Sequence, residues 1–289
     1  MEISGSTKLF CIIGMPAHHS LSPTIHNAAF KELNIDAVFT AFDVPAEMLE
    51  NAIKGMKALD IKGMTLTSPH KENVMHYLDH IDKLSIELGA VNTVINKNGI
   101  LYGYNTDAPG FVKTMKKYRL KKNANYVIFG AGGAARAFSF GLAHEGIKNI
   151  SIINRTIDHA KELEHRLKHT FPSINVSIYK LGSEESIGII KNSNYIINAT
   201  NITLENKKYT PVKKELLKDE MIVFDANYAP LENKLLRDAK AIGCKTINGL
   251  ELLVNQGLVA FKLFTNKKAN YDIMMKAALE KVKASNKHN

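Results

Sequence analysis

The residues Tyr126-Val127-Ile128-Phe129-Gly130-Ala131-Gly132-Gly133-Ala134-Ala135 decide the fold. A short apolar strand pattern runs directly into a glycine-rich turn, and beyond Ala135 the apolar period becomes helical. In such a turn Gly130 permits the tight bend, Gly132 lets backbone approach a pyrophosphate, and the small Ala135 lets helix pack on strand. The amides at the helix N-terminus then face the phosphates. Glycines also serve ordinary turns, so the surroundings must decide. Strand-like runs recur at 149–153, 176–179, 195–198, 221–225 and 245–247, with helical patterns between them. That alternation predicts a doubly wound, dinucleotide-binding domain.

Upstream, residues 9–14 read as a strand and 22–33 as a helix, with Ser22 as N-cap and Pro23 at the first helical position. A second strand at 37–44 precedes a helix at 46–59, in which Met48, Leu49, Ala52, Ile53 and Met56 share a face. Residues 62–67 form a third strand, and 71–78 begin another helix. The runs 91–95 and 101–104, joined through Asn98-Gly99, read as a hairpin. This layout predicts an α/β fold whose first sheet is largely parallel and covered by helices. A helix at 107–118 and a polar link at 121–125 lead into the second unit, and 250–262 and 271–283 are helical.

The chain of 289 residues has room for two domains. Its formal charge of +10 raises the question of a nucleic-acid partner, but the lysines are scattered. Only short groups occur, at Lys116-Lys117, Lys121-Lys122, Lys207-Lys208, Lys213-Lys214 and Lys267-Lys268, and there is no Trp or aromatic-basic motif. A solvated Lys-rich surface fits better, and its field draws in an anionic substrate and a polyphosphate cofactor. Cys11 and Cys244 lie too far apart for a disulfide framework or a metal-ligand spacing, so reduced thiols in a cytoplasmic protein are expected. No stretch resembles a signal peptide or approaches the roughly 20 apolar residues of a membrane span.

The strand Ser151-Ile152-Ile153 ends in Asn154-Arg155-Thr156, without a carboxylate at its tip. A guanidinium there suits a 2′-phosphate, which favours NADP over NAD; Asp158 is the nearest acidic residue. Arg155 as plain surface structure is the second reading. In the first half, His19-Ser20-Leu21-Ser22-Pro23 places two hydroxyls at a helix entrance, where capping accounts for Ser22 but not for Ser20. The run Gly63-Met64-Thr65-Leu66-Thr67-Ser68-Pro69-His70-Lys71 puts a lysine at a helix start, against the dipole. Gly89-Ala90-Val91-Asn92-Thr93 and Gly103-Tyr104-Asn105-Thr106-Asp107 add polar side chains at strand ends. Each could be turn chemistry. Together, ahead of a dinucleotide domain, they predict a polar active-site cleft, and a cleft between two domains predicts closure on binding.

In this order the motifs resemble the shikimate dehydrogenase (shikimate/quinate dehydrogenase) family over nearly the whole chain. The resemblance rests on Ser20-Leu21-Ser22-Pro23 with Ile25-His26-Asn27, Pro69-x-Lys71, Gly89–Thr93 and Gly103–Asp107. It continues through the Gly130–Ala135 loop, Asn154-Arg155-Thr156, Asn198-Ala199-Thr200 and Gly249…Gln256. It implies reversible NADPH-dependent reduction of 3-dehydroshikimate to shikimate, a step toward chorismate and the aromatic amino acids. The implied fold is an N-terminal α/β substrate domain at 1–107 and 251–289, completed by returning C-terminal helices, and a Rossmann-type NADP-binding domain at 108–250. By the same resemblance Ser20 and Ser22 hold the substrate carboxylate, and Thr67, Asn92, Asp107, Tyr228 and Gln256 bond or flank the ring hydroxyls. Lys71 and Asp107 form the catalytic pair. Gly130, Ala131, Gly132, Gly133, Ala134 and Ala135 carry the cofactor, Asn154, Arg155 and Thr156 its adenosine phosphate, and Ala226 and Gly249 its nicotinamide end.

No metal is implied, and a monomer or homodimer is expected, without nucleic acid or membrane as partner. This chain departs from the family pattern at Thr65 (usually Asn, a substrate ligand), Thr203 and Glu251 (usually Gly), and His159 (often a second basic residue). Four other readings stand beside it: a quinate/shikimate dehydrogenase using NAD or NADP, a tetrahydrofolate-linked dehydrogenase, which would not predict the Ser20-Leu21-Ser22-Pro23 run, a non-catalytic NADP-binding regulator, and a basic nucleic-acid binder. The Lys71–Asp107 pair argues against the regulator, and scattered lysines argue against the nucleic-acid binder.

Overall fold

Strand β1 (Lys8–Gly14) is buried from Phe10 onward on both of its faces, as a strand in the middle of a covered sheet must be. The computed structural model describes residues 3–201 and 209–285. In it β1 pairs in parallel with β2 (Ala37–Asp43) and with β3 (Gly63–Leu66). β3 then runs antiparallel to β5 (Thr93–Lys97), β5 antiparallel to β6 (Ile100–Tyr104), and the short β4 (His80–Ile81) parallel to β6. The sheet order is therefore β2-β1-β3-β5-β6-β4. It is parallel-rich, as the alternation of elements suggested, with three parallel pairings and two antiparallel ones, both made by β5. The hairpin sets the pairing with β6: Asn98 and Gly99 both take positive φ, 55° and 85°, which reverses the chain in a two-residue turn.

The helices of this unit correct two expectations. Helix α1 (Ser22–Glu32) begins at Ser22 itself, and Leu21 occupies the cap position without a side-chain bond. Ser22 is thus not the N-cap, and its hydroxyl is not spent on capping. Lys71 starts no α-helix either, since a 3-10 turn (Asn73–Tyr77) follows it, and the argument from an opposed helix dipole does not apply. Helix α2 (Leu49–Ala58) packs Leu49, Ile53 and Met56 onto Cys11, Ile13, Met64 and Leu66 on one sheet face. The opposite face is aromatic, with Phe10, Phe30, Phe39, Phe261 and Phe264 around His26. Helix α10 (Tyr271–Ser285) packs on α1, while α9 (Gly249–Thr265) sets Phe264 over Gly63. A Cβ at Gly63 would lie 2.4 Å from that ring, so the close seat requires glycine. A short helix α3 (Lys83–Leu88), capped by Asp82, completes the unit.

Contacts divide the chain into Met1–Gly110 with Leu253–Asn289, and Phe111–Leu252. The division falls slightly beyond residues 107 and 250, inside helices α4 (Asp107–Lys116) and α9. In the second unit β7 (Asn125–Phe129), β8 (Asn149–Asn154), β9 (Asn175–Lys180), β10 (Tyr195–Asn198), β11 (Ile222–Asp225) and β12 (Lys245–Asn248) form one sheet, all pairs parallel. Its order, β12-β11-β10-β7-β8-β9, is the doubly wound order with its switch point between β7 and β10. Helices α5 (Gly133–His144), α6 (Ile157–Thr170), α7 (Glu184–Lys191) and α8 (Lys234–Ile242) form the connections between the strands. Thr203, Lys207 and Lys208 lie outside the described residues. Both cysteines are free and buried, and burial pushes the Cys11 thiol up to about 12. No described helix is long and apolar enough to cross a membrane.

His26 links this core to pH. It is fully buried, stacks on Phe39 at 4.5 Å, and neither ring nitrogen has a hydrogen-bond partner among the described residues. Burial lowers its pKa from 6.5 to about 3. As pH falls below 6.5 the unfolded chain therefore takes up a proton that the folded chain refuses until about pH 3, and stability is lost across that window. The loss reaches about 1.4 kcal/mol per pH unit. A His26→Phe variant should show a shallower fall in urea midpoint between pH 6.5 and about 4.5 than the parent. Equal slopes would remove His26 as the responsible group.

Candidate active site

At the end of β3 the chain turns through Ser68-Pro69-His70 to Lys71. Three contacts hold this turn. The His70 amide donates to Thr67 O at 3.0 Å, the buried His70 ring donates from Nε2 to Val44 O at 2.7 Å, and the Val91 amide donates to Lys71 O at 2.8 Å. So fixed, Lys71 places Nζ 2.7 Å from Asp107 Oδ2, and the two side chains are only 22% and 14% exposed. A charge-assisted bond this short and this shielded is directional as well as strong.

Asp107 is the first residue of α4, where the helix dipole favours a carboxylate. Asn105 sets its position: Oδ1 accepts from the amides of Asp107 (3.1 Å) and Ala108 (3.2 Å), and Nδ2 donates to Ala90 O (3.0 Å). One residue earlier, the Asn92 carboxamide grips Thr106, accepting from its amide at 2.8 Å and donating to its hydroxyl at 3.0 Å. The Thr106 hydroxyl lies 3.3 Å from Gln256 Oε1, and all three residues are buried. Gly110 lets Gln256 approach, since a Cβ there would come 2.6 Å from the Gln256 amide nitrogen.

Ser20 and Ser22 are joined to each other: Ser20 Oγ accepts from the Ser22 amide at 3.1 Å and donates to Ser22 Oγ at 3.1 Å. Asp43, at the end of β2, holds the preceding segment through the amides of Ala17 (2.6 Å) and His18 (3.0 Å) and through His18 Nδ1 (2.5 Å). The Ala17 amide, followed by the His18 ring, keeps the Asp43 carboxyl below its ordinary range. Among the described residues no direct hydrogen bond joins the Ser20–Ser22, Lys71–Asp107 and Asn92–Gln256 groups.

In the second unit the glycine turn has the expected form. Gly130 takes φ +107°, a conformation that favours glycine, and Gly132 caps α5 with extended backbone. Among the described residues no side chain caps α5 and nothing stands where a Gly132 Cβ would, and the first turn of the helix holds no acidic residue. The helix amides are thus available to an anion, with Ala131, Gly133, Ala134 and Ala135 small enough to admit it. At the tip of β8, Asn154 Nδ2 donates to Thr156 O at 2.8 Å, and Arg155 is exposed with no carboxylate partner among the described residues. Asp158 sits in the first turn of α6, 88% exposed and 3.8 Å from Lys161, so it does not stand at the strand tip.

Gly249 packs on Ala226 so closely that a Cβ would lie 2.0 Å from Ala226 O. Next to Ala226, the fully buried Asp225 accepts from Asn198 Nδ2 (2.9 Å), Asn233 Nδ2 (2.8 Å), the Asn227 amide (2.9 Å) and Asn227 Nδ2 (2.8 Å). Burial raises its pKa and these donors hold it partly down. Tyr228 follows, half-buried.

Asn105, Thr106, Asp43 and Asp225 are structural members of these sites to which the sequence reading assigned no role. Asn105 had a local signal, an amide-bearing residue just before a helix start. Asp43 and Asp225 act on residues distant in sequence or through an unfamiliar cluster, so no short pattern announces them. Of the departures, Glu251 accepts from Tyr118 Oη at 2.5 Å and meets Lys117 Nζ at 3.3 Å, which accounts for it as a tie within the second unit. His159 is exposed on α6, and the buried Thr65 hydroxyl has no partner among the described residues.

Family models match along the chain: the shikimate dehydrogenase substrate binding domain at residues 12–94, shikimate/quinate 5-dehydrogenase at 113–230, and the shikimate 5′-dehydrogenase C-terminal domain at 249–279. The chain is 42% identical over 267 residues to a shikimate dehydrogenase (NADP+) of Caldanaerobacter subterraneus, covering 92% of this chain and 94% of that protein. It resembles the crystal structure of a shikimate dehydrogenase in complex with NADP+, with TM-score 0.91, 41% identity and coverage of 97% and 98%. A Thermus thermophilus shikimate 5-dehydrogenase in complex with NADP(H) and shikimate aligns with TM-score 0.85, 33% identity and coverage of 94% and 99%.

Replacing Asp225 with Ala strands the buried amides of Asn198, Asn227 and Asn233. The expected cost is at least about 3 kcal/mol in urea unfolding, against 1–3 kcal/mol for a single orphaned group. A loss below about 1 kcal/mol would mean that these amides find other partners.

Proposed function

The chain belongs to the shikimate dehydrogenase family, and from that premise we propose that it interconverts 3-dehydroshikimate and shikimate with NADP(H), using Lys71 and Asp107 as the catalytic pair. The observation that carries the reading is the shielded 2.7 Å contact between Lys71 Nζ and Asp107 Oδ2, in the unit matched by the substrate-binding family model. We also take the enzyme to work in the cytoplasm, as a monomer or homodimer, on the route to chorismate.

Reducing a ketone to an alcohol requires a proton at the oxygen. The Lys71 ammonium has three N–H bonds and gives one to Asp107, so the others can reach a substrate oxygen. In the direction of reduction Lys71 gives that oxygen a proton; in the reverse direction the neutral amine takes it back. Asp107 orients the ammonium and accepts from the neighbouring hydroxyl. Ser20 and Ser22 offer hydroxyls to the substrate carboxylate. Thr67, Tyr228, Asn92 and Gln256 bind ring hydroxyls, and the last two each keep one N–H beyond the bonds that fix them to Thr106 Oγ1 and Leu253 O.

NADP(H), when bound, supplies or accepts the hydride. The open α5 amides with Gly130 to Ala135 fit its pyrophosphate. The unpaired guanidinium of Arg155, with Asn154 and Thr156, fits the 2′-phosphate, and the Ala226 and Gly249 backbone lines the nicotinamide end. A broader use of quinate draws its support from Thr65, whose buried, unpartnered hydroxyl replaces the carboxamide usual in the family.

Shikimate and quinate crossed with NADP+ and NAD+ should give rapid turnover with shikimate and NADP+, followed by nicotinamide absorbance. Fast quinate oxidation or NAD+ preference would move the chain to the broader branch, and no turnover in protein that binds NADP+ would end the enzyme reading. Lys71→Ala should lower kcat by about 100- to 10,000-fold and change KM for shikimate only a few-fold. Arg155→Ala should raise KM for NADP+ by about tenfold or more and leave NAD+ little affected.

A further inference from the structure

The first unit holds a cavity of about 760 Å3 between the end of α9 and the sheet face opposite α2. None of the residues assigned to substrate or catalysis lines it. Its floor is apolar, formed by the buried Phe10 and Ile95 and by Phe264 over Gly63. The rim is cationic: Lys8, Lys62, Lys97 and Lys262 line it, and no Asp or Glu does. Lys62 is paired with Asp60, and Lys97 stands 4.9 Å over the Tyr102 ring. Lys8 and Lys262 have no carboxylate partner among the described residues.

One further donor is unspent. The half-buried Tyr104 hydroxyl also lines the cavity and has no hydrogen-bond partner among the described residues. Burial, followed by the nearby Asp82 and Tyr102, raises its pKa. A lysine near a helix C-terminus is explained by the dipole, which covers Lys262. That account does not reach Lys8 and Lys97, which stand on strands on the same rim. An apolar floor with a few polar donors, in a volume of this size, is the make-up of a small-molecule site.

The geometry points to a second binding site, for a small organic dianion with a flat apolar ring. Lys8 and Lys262 take the charges, Tyr104 donates to one acid group, and the ring lies on Phe264, Phe10 and Ile95. Dicarboxylates, disulfonates and phosphate esters of aromatic rings share this chemistry. The site is built on β1 and β5, on β6, which leads to Asp107, and on α9, which carries Gln256. A ligand there braces the elements that carry the catalytic groups.

The test is calorimetric titration of the full chain with 1,5-naphthalenedisulfonate at low salt, in excess NADPH and shikimate, a pair that cannot react, so that active-site binding does not register. Saturable one-to-one binding is expected, weakened at least tenfold in Lys8→Gln/Lys262→Gln and a few-fold in Tyr104→Phe, with inorganic sulfate failing to compete at equal concentration. Shikimate turnover of the double lysine variant should match the parent. Lys213→Gln/Lys214→Gln removes the same charge elsewhere and should leave binding unchanged. No binding, non-saturating binding, or equal weakening by both lysine pairs would overturn the site, the last by reducing it to attraction toward a basic surface.

Discussion

The bond from the Thr106 amide to the Asn92 carboxamide, 2.8 Å long and fully buried, is the constraint from which the geometry of the Lys71–Asp107 pair descends. Asn92 also accepts the Leu66 amide at its own carbonyl (2.8 Å) and donates its amide to Tyr104 O (3.0 Å), so β3, β5 and β6 meet at one residue. Asp107 follows Thr106 directly, Gln256 reaches the Thr106 hydroxyl, and Lys71 is tied through the adjacent Val91. In a dry environment each of these bonds is costly to leave unmade, so the arrangement acts as a unit. The Lys71–Asp107 pair is held through its own backbone, by the Val91 amide at Lys71 O and the Asn105 carboxamide at the Asp107 amide.

The second unit applies the same logic with a charge. Asp225 gathers the amides of Asn198, Asn227 and Asn233 at the carboxyl ends of β10 and β11. Ligands of doubly wound sheets bind at that edge. Asn233 in turn accepts from the Leu236 amide and so starts α8, and Asn227 donates to Thr200 O. A carboxylate is suited to the task because its two oxygens accept from several donors at once.

Legibility in the sequence followed the range of the interaction. The Gly130–Ala135 turn, the alternation around it and the Asn98-Gly99 hairpin are local patterns, and the parallel second sheet follows from them. In the first sheet the parallel-rich layout was legible, but the antiparallel pairing of β3 with β5 was not, because it depends on which neighbours these strands choose. Ser22 looked like a cap because Pro follows it, yet the helix already includes it. The ordered motifs located Lys71 and Asp107, which the structure brings into contact. Asp225 stayed hidden because its partners are amides that carry no residue-type signature, and Asp43 because the segment it holds is distant in sequence, whereas Asn105 carried only the local signal of an amide just before a helix.

Two neighbouring positions at the start of α9 show how unevenly such a fold can drift. At Gly249 a single added carbon meets the Ala226 carbonyl at 2.0 Å, so that position admits no alternative without moving β11 or β12. Two residues on, Glu251 reaches outward to Tyr118 and Lys117, and any pair of compatible surface groups could replace that tie. Within one helical turn, ancestry is written at one site and erased at the next. Any account of how this chain changes should therefore weigh positions packed on backbone, such as Gly249, above side-chain ties such as Glu251.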